Sequence, residues 1–307
     1  MSRRHGFLAA IAVVVLASVG ALAFGDSSSR VSSGSPVGGC PVFPANNHWN
    51  VRVDRLPVAR NSDRMVRRMG ANERLFADFT IPYTVVSKSQ PRKQVRFRYH
   101  DHSDRGPYPI PNNVPIEPGI DEHALIVERG SCRLYELYDL RRRGGQWRAG
   151  SGAIFNLRSN RLRPRGWTSA DAAGLAILPG LARYDEVKKG AIKHAIRFTA
   201  DQTAARFVYP ARHFQDRDPD RSLPPMGLRM RLKPSVDISG FQPQSRVILQ
   251  ALKRYGMLLA DEGEEWFISG APSPGWNFKD LRTLDAIKGS DFEVVDTSSL
   301  PKPGLGG

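Results

Sequence analysis

The sequence predicts a mainly β protein, an antiparallel β-sandwich of jelly-roll type with a few short helices. Three observations predict it. Apolar and polar residues alternate with period two in several short segments, as in half-buried strands. Glycine and proline, 28 and 23 of 307 residues, favour many turns between short elements. Strand-like segments also follow one another without the regular strand–helix alternation of a doubly wound sheet.

In chain order, the first stretch reads as an address. Arg3 and Arg4 precede an uncharged, mostly apolar run over 7–24, and Ala21-Leu22-Ala23 supplies a small-x-small cleavage pattern. These features define a secretory signal peptide over 1–25, and the run is also long enough to stay behind as an anchor. Residues 26–39, rich in Ser and Gly, read as a flexible linker. A single β-rich domain is expected over 40–300, with a loose tail over 301–307. The reading places the protein outside the cell or in the periplasm, without stable membrane association once the signal is cleaved. Cys40 and Cys132 are the only cysteines, and in an exported chain they are expected to pair.

Three segments carry the strand pattern most clearly. Val95, Phe97 and Tyr99 alternate with Arg96, Arg98 and His100; Ile192, His194, Ile196 and Phe198 with Lys193, Ala195, Arg197 and Thr199; and Leu228, Met230 and Leu232 with Arg229, Arg231 and Lys233. Further strands are expected over 124–127, 134–140, 151–157, 206–209, 257–260, 265–269 and 292–295. The clearest helix is 244–255, framed by Pro243 and Gly256; shorter ones are expected over 63–69, 184–189 and 278–287. The proline-rich stretch 106–119 reads as an extended surface strap.

The formal charge is +15. Loss of 1–25 removes two cations and no acids, leaving +13. Such a chain attracts polyanions, and outside a cell these are acidic polysaccharides or cell-wall polyanions. Aromatics are not interleaved with the basic residues as in single-strand nucleic-acid binders, so no nucleic-acid partner is expected. If the three basic strands share a sheet, Arg96, Arg98, Arg229 and Arg231 form a cationic substrate-binding face, with Trp167 available to stack on a sugar. His100-Asp101-His102-Ser103-Asp104 has the H-x-H-x-D spacing of metallo-β-lactamase-like zinc sites. Arg105 stands where that motif has another His, however, and Gly106-Pro107 blocks the following helix. No metal and no cofactor are assigned.

The densest set of chemically able residues lies between Gly150 and His213, with Asp171, Tyr184, Glu186, His194 and Arg197 as catalytic candidates. A lyase would use Arg197 to neutralise a uronate carboxylate and His194 or Tyr184 as the base. A glycosidase would use two facing carboxylates drawn from Asp171, Asp185 and Glu186. Strand alternation puts 194 and 197 on opposite faces unless a bulge intervenes. The alternative is a non-catalytic glycan- or wall-binding protein, with His194 in the core and Arg197 at the surface.

The stretch from Ala173 to Val187, Ile192-Lys193-His194-Ala195-Ile196-Arg197-Phe198-Thr199 and Pro224-Pro225-Met226-Gly227 resemble a family of exported, uncharacterised bacterial proteins. The resemblance implies secretion and supplies no activity.

Overall fold

The computed structural model describes residues 34–305. The expected signal peptide and residues 26–33 of the expected linker lie outside them. Among the described residues no helix is long and apolar enough to cross a membrane.

The protein is mainly β, with several sheets and few short helices. One sheet holds β1 (Phe76–Asp78), β9 (Ile196–Ala200), β10 (Arg229–Leu232), β11 (Met257–Glu262), β12 (Phe267–Ser269) and β13 (Phe292–Val294), in the order β1-β12-β9-β11-β10-β13. A second holds β2 (Tyr83–Val86), β4 (Ala124–Glu128), β5 (Arg133–Tyr138) and β8 (Ser151–Asn156), in that order. The third is small: β3 (Val95–Phe97), β7 (Gln146–Ala149) and β6 (Arg141–Arg143), in that order.

The purely antiparallel arrangement expected from the strand patterns gives way to mixed sheets. β1 with β12, β9 with β11, β2 with β4, and β3 with β7 all pair in parallel. Alternation reports which face a residue occupies, not which way its neighbour runs. Long connections between these partners permit the parallel direction.

The half-exposed pattern expected around 196 and 230 also fails. Every residue of β9 and β10 is buried, Arg197, Arg229 and Arg231 included. Both faces of this sheet are covered, and the basic face is satisfied internally. The segment 206–209 is not a strand; Phe207 makes only an isolated bridge with Met226.

The second sheet is buried on both faces. Leu125, Val127, Leu134 and Phe155 join the main core with residues of the six-stranded sheet. Ala124, Ile126, Tyr135 and Leu137 face a smaller cluster with Tyr108, Ile110 and Trp147. The proline-rich strap runs along the surface for most of its length and sinks Tyr108 and Ile110, both fully buried, into this cluster. Gly152 permits its approach: a Cβ there would meet the Tyr108 hydroxyl at 2.5 Å and the Phe97 ring at 2.6 Å.

Four α-helices complete the described fold: α1 (Ser62–Arg68), α2 (Tyr184–Lys188), α3 (Pro243–Arg254) and α4 (Phe278–Leu281). In α3, Pro243 takes the first turn, and Ile248, Leu249 and Leu252 are buried on one face. Burying each such side chain contributes about 1.5–3 kcal/mol. Gly256 follows with φ +65°, and any Cβ there would lie 2.0 Å from the Met230 carbonyl oxygen, so the turn into β11 needs glycine.

Cys40 and Cys132 form a disulfide with a Cα–Cα distance of 5.3 Å, ending a loop with a sequence separation of 92. Closing a loop of that length stabilises by about 4 kcal/mol in the chain-entropy model.

Candidate active site

Between β5, β8, the loop 167–175 and the end of β11 lies a polar cavity of about 490 Å³. Asp171 and Asp261 stand together in its wall, placed by two local devices.

The first is the loop of Asp171, closed by its own polar groups. The Asp171 N–H donates to Ser169 Oγ at 3.0 Å, and Thr168 Oγ1 donates to the Asp171 carbonyl at 3.0 Å. Ser151 Oγ of β8 holds the Ser169 carbonyl at 2.6 Å. Buried His123 holds the Ala170 carbonyl through Nε2 at 3.1 Å, while its Nδ1 meets Glu117. Burial alone would lower the His123 pKa, but its bond to Glu117 and the Glu117 charge outweigh that and raise it. A carbonyl on one ring nitrogen and a carboxylate on the other suit an imidazolium.

The second device is a β-bulge. Leu259 pairs with Phe198, and Asp261 pairs with Thr199, which leaves Ala260 as an extra residue in β11. Without it, Ala260 would oppose Thr199 and Asp261 would point to the other face of the sheet. The bulge brings Asp261 onto the face that carries Arg197. It also frees the Ala260 carbonyl, which accepts from the Ala173 N–H at 2.9 Å and ties the two devices together.

Arg197 lies beneath both carboxyl groups. Its Nε and Nη2 donate to Asp171 at 2.9 and 2.6 Å, Nη1 donates to Ser269 Oγ at 2.7 Å, and Nη2 reaches Asp261 at 3.4 Å. The Asp171 side chain is fully buried, whereas that of Asp261 keeps 16% exposure. Burial first, then the Asp171 charge and a hydrogen bond from one carboxyl group to the other, push the Asp261 pKa well above the usual carboxylate range, against the pull of Arg197. Asp261 therefore takes up a proton at higher pH than an ordinary carboxylate, and its side chain lines the cavity.

His213 lines the same cavity. Its Nδ1 donates to the Ala172 carbonyl at 2.8 Å, which fixes the tautomer and leaves a lone pair on Nε2. Burial, helped by nearby His102, lowers its pKa. A carboxyl group with a raised pKa and an imidazole with a lowered one thus share one cavity, a pairing that general acid–base catalysis draws on. Asp121, Glu262, Tyr99 and Tyr138 add further polar groups to the wall. Glu262 is raised by partial burial, and its Oε1 accepts from Thr203.

Of the residues singled out by sequence, Asp171 and Arg197 meet at this cavity and His102 of the H-x-H-x-D run lines it, while the other catalytic and substrate-binding candidates lie elsewhere. His194 precedes β9, is 1% exposed, and bonds Glu186 Oε2 through Nε2 at 2.9 Å and its neighbour Ala195's carbonyl through Nδ1 at 2.8 Å. Glu186 also receives Arg183 Nη2 at 2.9 Å and the Ser35 N–H at 3.0 Å. Burial would raise Glu186, yet the His194 charge and bond, then Arg183 and Ser35, hold it below the usual range. This is a buried ionic clamp on Gly34 and Ser35, which belong to the segment expected as linker. Tyr184 opens α2 and packs edge-on against Trp276, ring centroids 5.4 Å apart. Trp167 is half-buried beneath the guanidinium of Arg163.

The shared cationic face expected from Arg96, Arg98, Arg229 and Arg231 does not form. Arg96 belongs to β3 and Arg98 follows it, in the small sheet, both exposed. Arg229 and Arg231 are 5% exposed in the six-stranded sheet. Arg229 donates to the carbonyls of Tyr255, His48 and Val51 at 2.9, 2.7 and 3.0 Å, and burial lowers its pKa to about 9. Arg231 binds Glu293 and the carbonyls of Val53 and Leu56. These two arginines anchor the N-terminal arm to the sheet.

Asp104 of the H-x-H-x-D run accepts from Arg163 Nη1 at 2.6 Å and from the Ile154 N–H at 2.8 Å, so it braces β8. Sequence reasoning missed Asp261, because an expected strand ending at residue 260 gave no sign of the bulge. No family model matches this chain, and no curated protein or solved structure matches it either.

Proposed function

We propose that the protein is an exported glycan hydrolase with Asp261 as its general acid. The observation that supports this best is the Asp261 carboxyl group at the wall of an accessible cavity, its pKa raised by burial and then by Asp171, which Arg197 holds from below. In the proposed reaction Asp261 donates its proton to the glycosidic oxygen as the C–O bond breaks, and that bond's electrons stay on the departing oxygen. His213 Nε2 takes a proton from the attacking water, whose oxygen bonds to the anomeric carbon. The carboxylate of Asp121, in the same wall, stabilises the positive charge that develops on the sugar ring.

Elimination is the weaker reading. A lyase needs a free cation for the uronate carboxylate, and Arg197 already spends its donors on Asp171, Ser269 and Asp261. Among the described residues no Lys or Arg lines the cavity, so nothing in its wall neutralises a uronate carboxylate for elimination.

The test is incubation of the protein with a panel of polysaccharides, read by reducing ends and by absorbance at 235 nm. Reducing ends without absorbance are expected. Asp261→Asn should lower turnover by about 10²–10⁴-fold, the usual worth of a positioned acid. Turnover should fall as pH rises through the raised Asp261 pKa and as it drops through the lowered His213 pKa. Absorbance at 235 nm would establish elimination instead, and silence on every substrate would favour a glycan-binding protein.

A further inference from the structure

A row of arginines crosses the small sheet. Arg96 of β3 stands opposite Arg148 of β7, and Arg148 stands opposite Arg141 of β6. Opposed residues share a face, so three guanidinium groups project side by side from strands about 4.8 Å apart. Arg143 and Arg98 extend this face, two residues on from Arg141 and Arg96, about 7 Å along each strand. With Asp139 they line a groove of about 420 Å³, five arginines to one aspartate. All five are exposed.

Like charges directly opposite one another destabilise a sheet, so such a row is costly without an anion. Blunting of sheet edges accounts for arginines on β3 and β6. It does not account for Arg148, because β7 is the central strand. Asp139 takes Arg98 at 2.5 Å, and Asp139 and Glu122 together take Arg141, which leaves Arg96, Arg143 and Arg148 to the groove. The hairpin Gly144-Gly145 (φ +54° and +79°) joins β6 to β7 with a two-residue turn and holds the row in register.

The groove adjoins the candidate active site along the chain. Arg98 lines the groove and Tyr99 the cavity; Asp139 lines the groove and Tyr138 the cavity. We infer that Arg96, Arg148 and Arg143 form an anion subsite that binds the carboxylates of an acidic polysaccharide whose chain continues into the Asp261 cavity. This rests on the hydrolase reading for the cavity and names the substrate class for it. The planar fork of arginine matches a carboxylate. Charges repeated every 5–7 Å match a polymer with a uronate on successive sugars. A single-stranded nucleic acid would need aromatic platforms beside the cations, and Trp147 of β7 points away, into the smaller core.

The experiment measures binding of sodium polygalacturonate oligomers by calorimetry at low salt, with Asp261→Asn in every protein so that turnover cannot interfere. Arg148→Gln should weaken binding about tenfold, the usual worth of one charged hydrogen bond. Arg96→Gln with Arg148→Gln should weaken it further. Arg55→Gln, which removes the same charge from an exposed site away from the groove, should change it less than twofold. Equal weakening by Arg55→Gln and Arg148→Gln would overturn the subsite, as would equal affinity for fully methyl-esterified oligomers. Tighter binding of single-stranded DNA than of polygalacturonate would overturn the substrate class. Thermal melts confirm that each variant is folded. Loss of turnover in the parent with arginine-dependent binding intact would reject the hydrolase and leave the subsite standing.

Discussion

Arg197 Nη2 lies 2.6 Å from Asp171 Oδ1 and 3.4 Å from Asp261 Oδ2, so one buried cation holds two carboxyl groups of unequal exposure. The unequal exposure gives each acid its part. Asp171, sealed in and gripped from two nitrogens, supplies the fixed negative charge. Asp261, at the cavity wall, has its pKa raised by burial and then by that charge.

This geometry predicts the cost of removing the cation. Arg197→Met should lower stability by about 3–5 kcal/mol, because Asp171 would remain buried without its partner. Denaturant titration at neutral pH checks it. A variant as stable as the parent would show that the pair does not hold the loop.

Much of the fold was legible in the sequence, and the reasons for the rest are physical. Strand positions around 95, 124, 134, 151, 257 and 292, the helix after Pro243 and the Cys40–Cys132 bond follow from local pattern and composition. Strand direction does not, since β9 pairs in parallel with β11 across an intervening strand and helix. Burial of Arg229 was hidden for a different reason: its partners are backbone carbonyls of the N-terminal arm, which carry no sequence signature. At the site, Asp171 and Arg197 stood out by residue type. Asp261 did not, because its face is set by a bulge at Ala260.

The two histidines should separate under mutation. His194→Ala removes one partner of buried Glu186 and leaves Arg183 in place, so it should cost about 3 kcal/mol while turnover per folded molecule stays at the parent level. His213→Ala removes the base proposed here and one bond to the Ala172 carbonyl. It should cost about 1 kcal/mol of stability and about 10²-fold or more in turnover. Parallel melts and rate measurements distinguish the two, and the opposite pattern would return His194 to the catalytic role suggested by the clustering of chemically able residues between Gly150 and His213.

Glu136 predicts the pH dependence of stability. Its carboxyl group is fully buried in β5 and accepts the N–H groups of Ile177 and Leu178 at 2.9–3.0 Å. Burial raises its pKa from 4.5 to about 7, even though those two N–H bonds pull the other way. The folded protein therefore binds this proton more tightly than the unfolded chain does. Its contribution is complete below about pH 4.5 and is lost as pH rises through about 7, a change of about 3 kcal/mol for this group alone. Glu136→Gln, with a carbonyl oxygen to accept the same N–H groups and no proton to lose, should flatten that part of the profile. Denaturant midpoints for parent and variant from pH 4.5 to 8 provide the measurement. Curves that stay parallel across the range would mean that Glu136 does not titrate there.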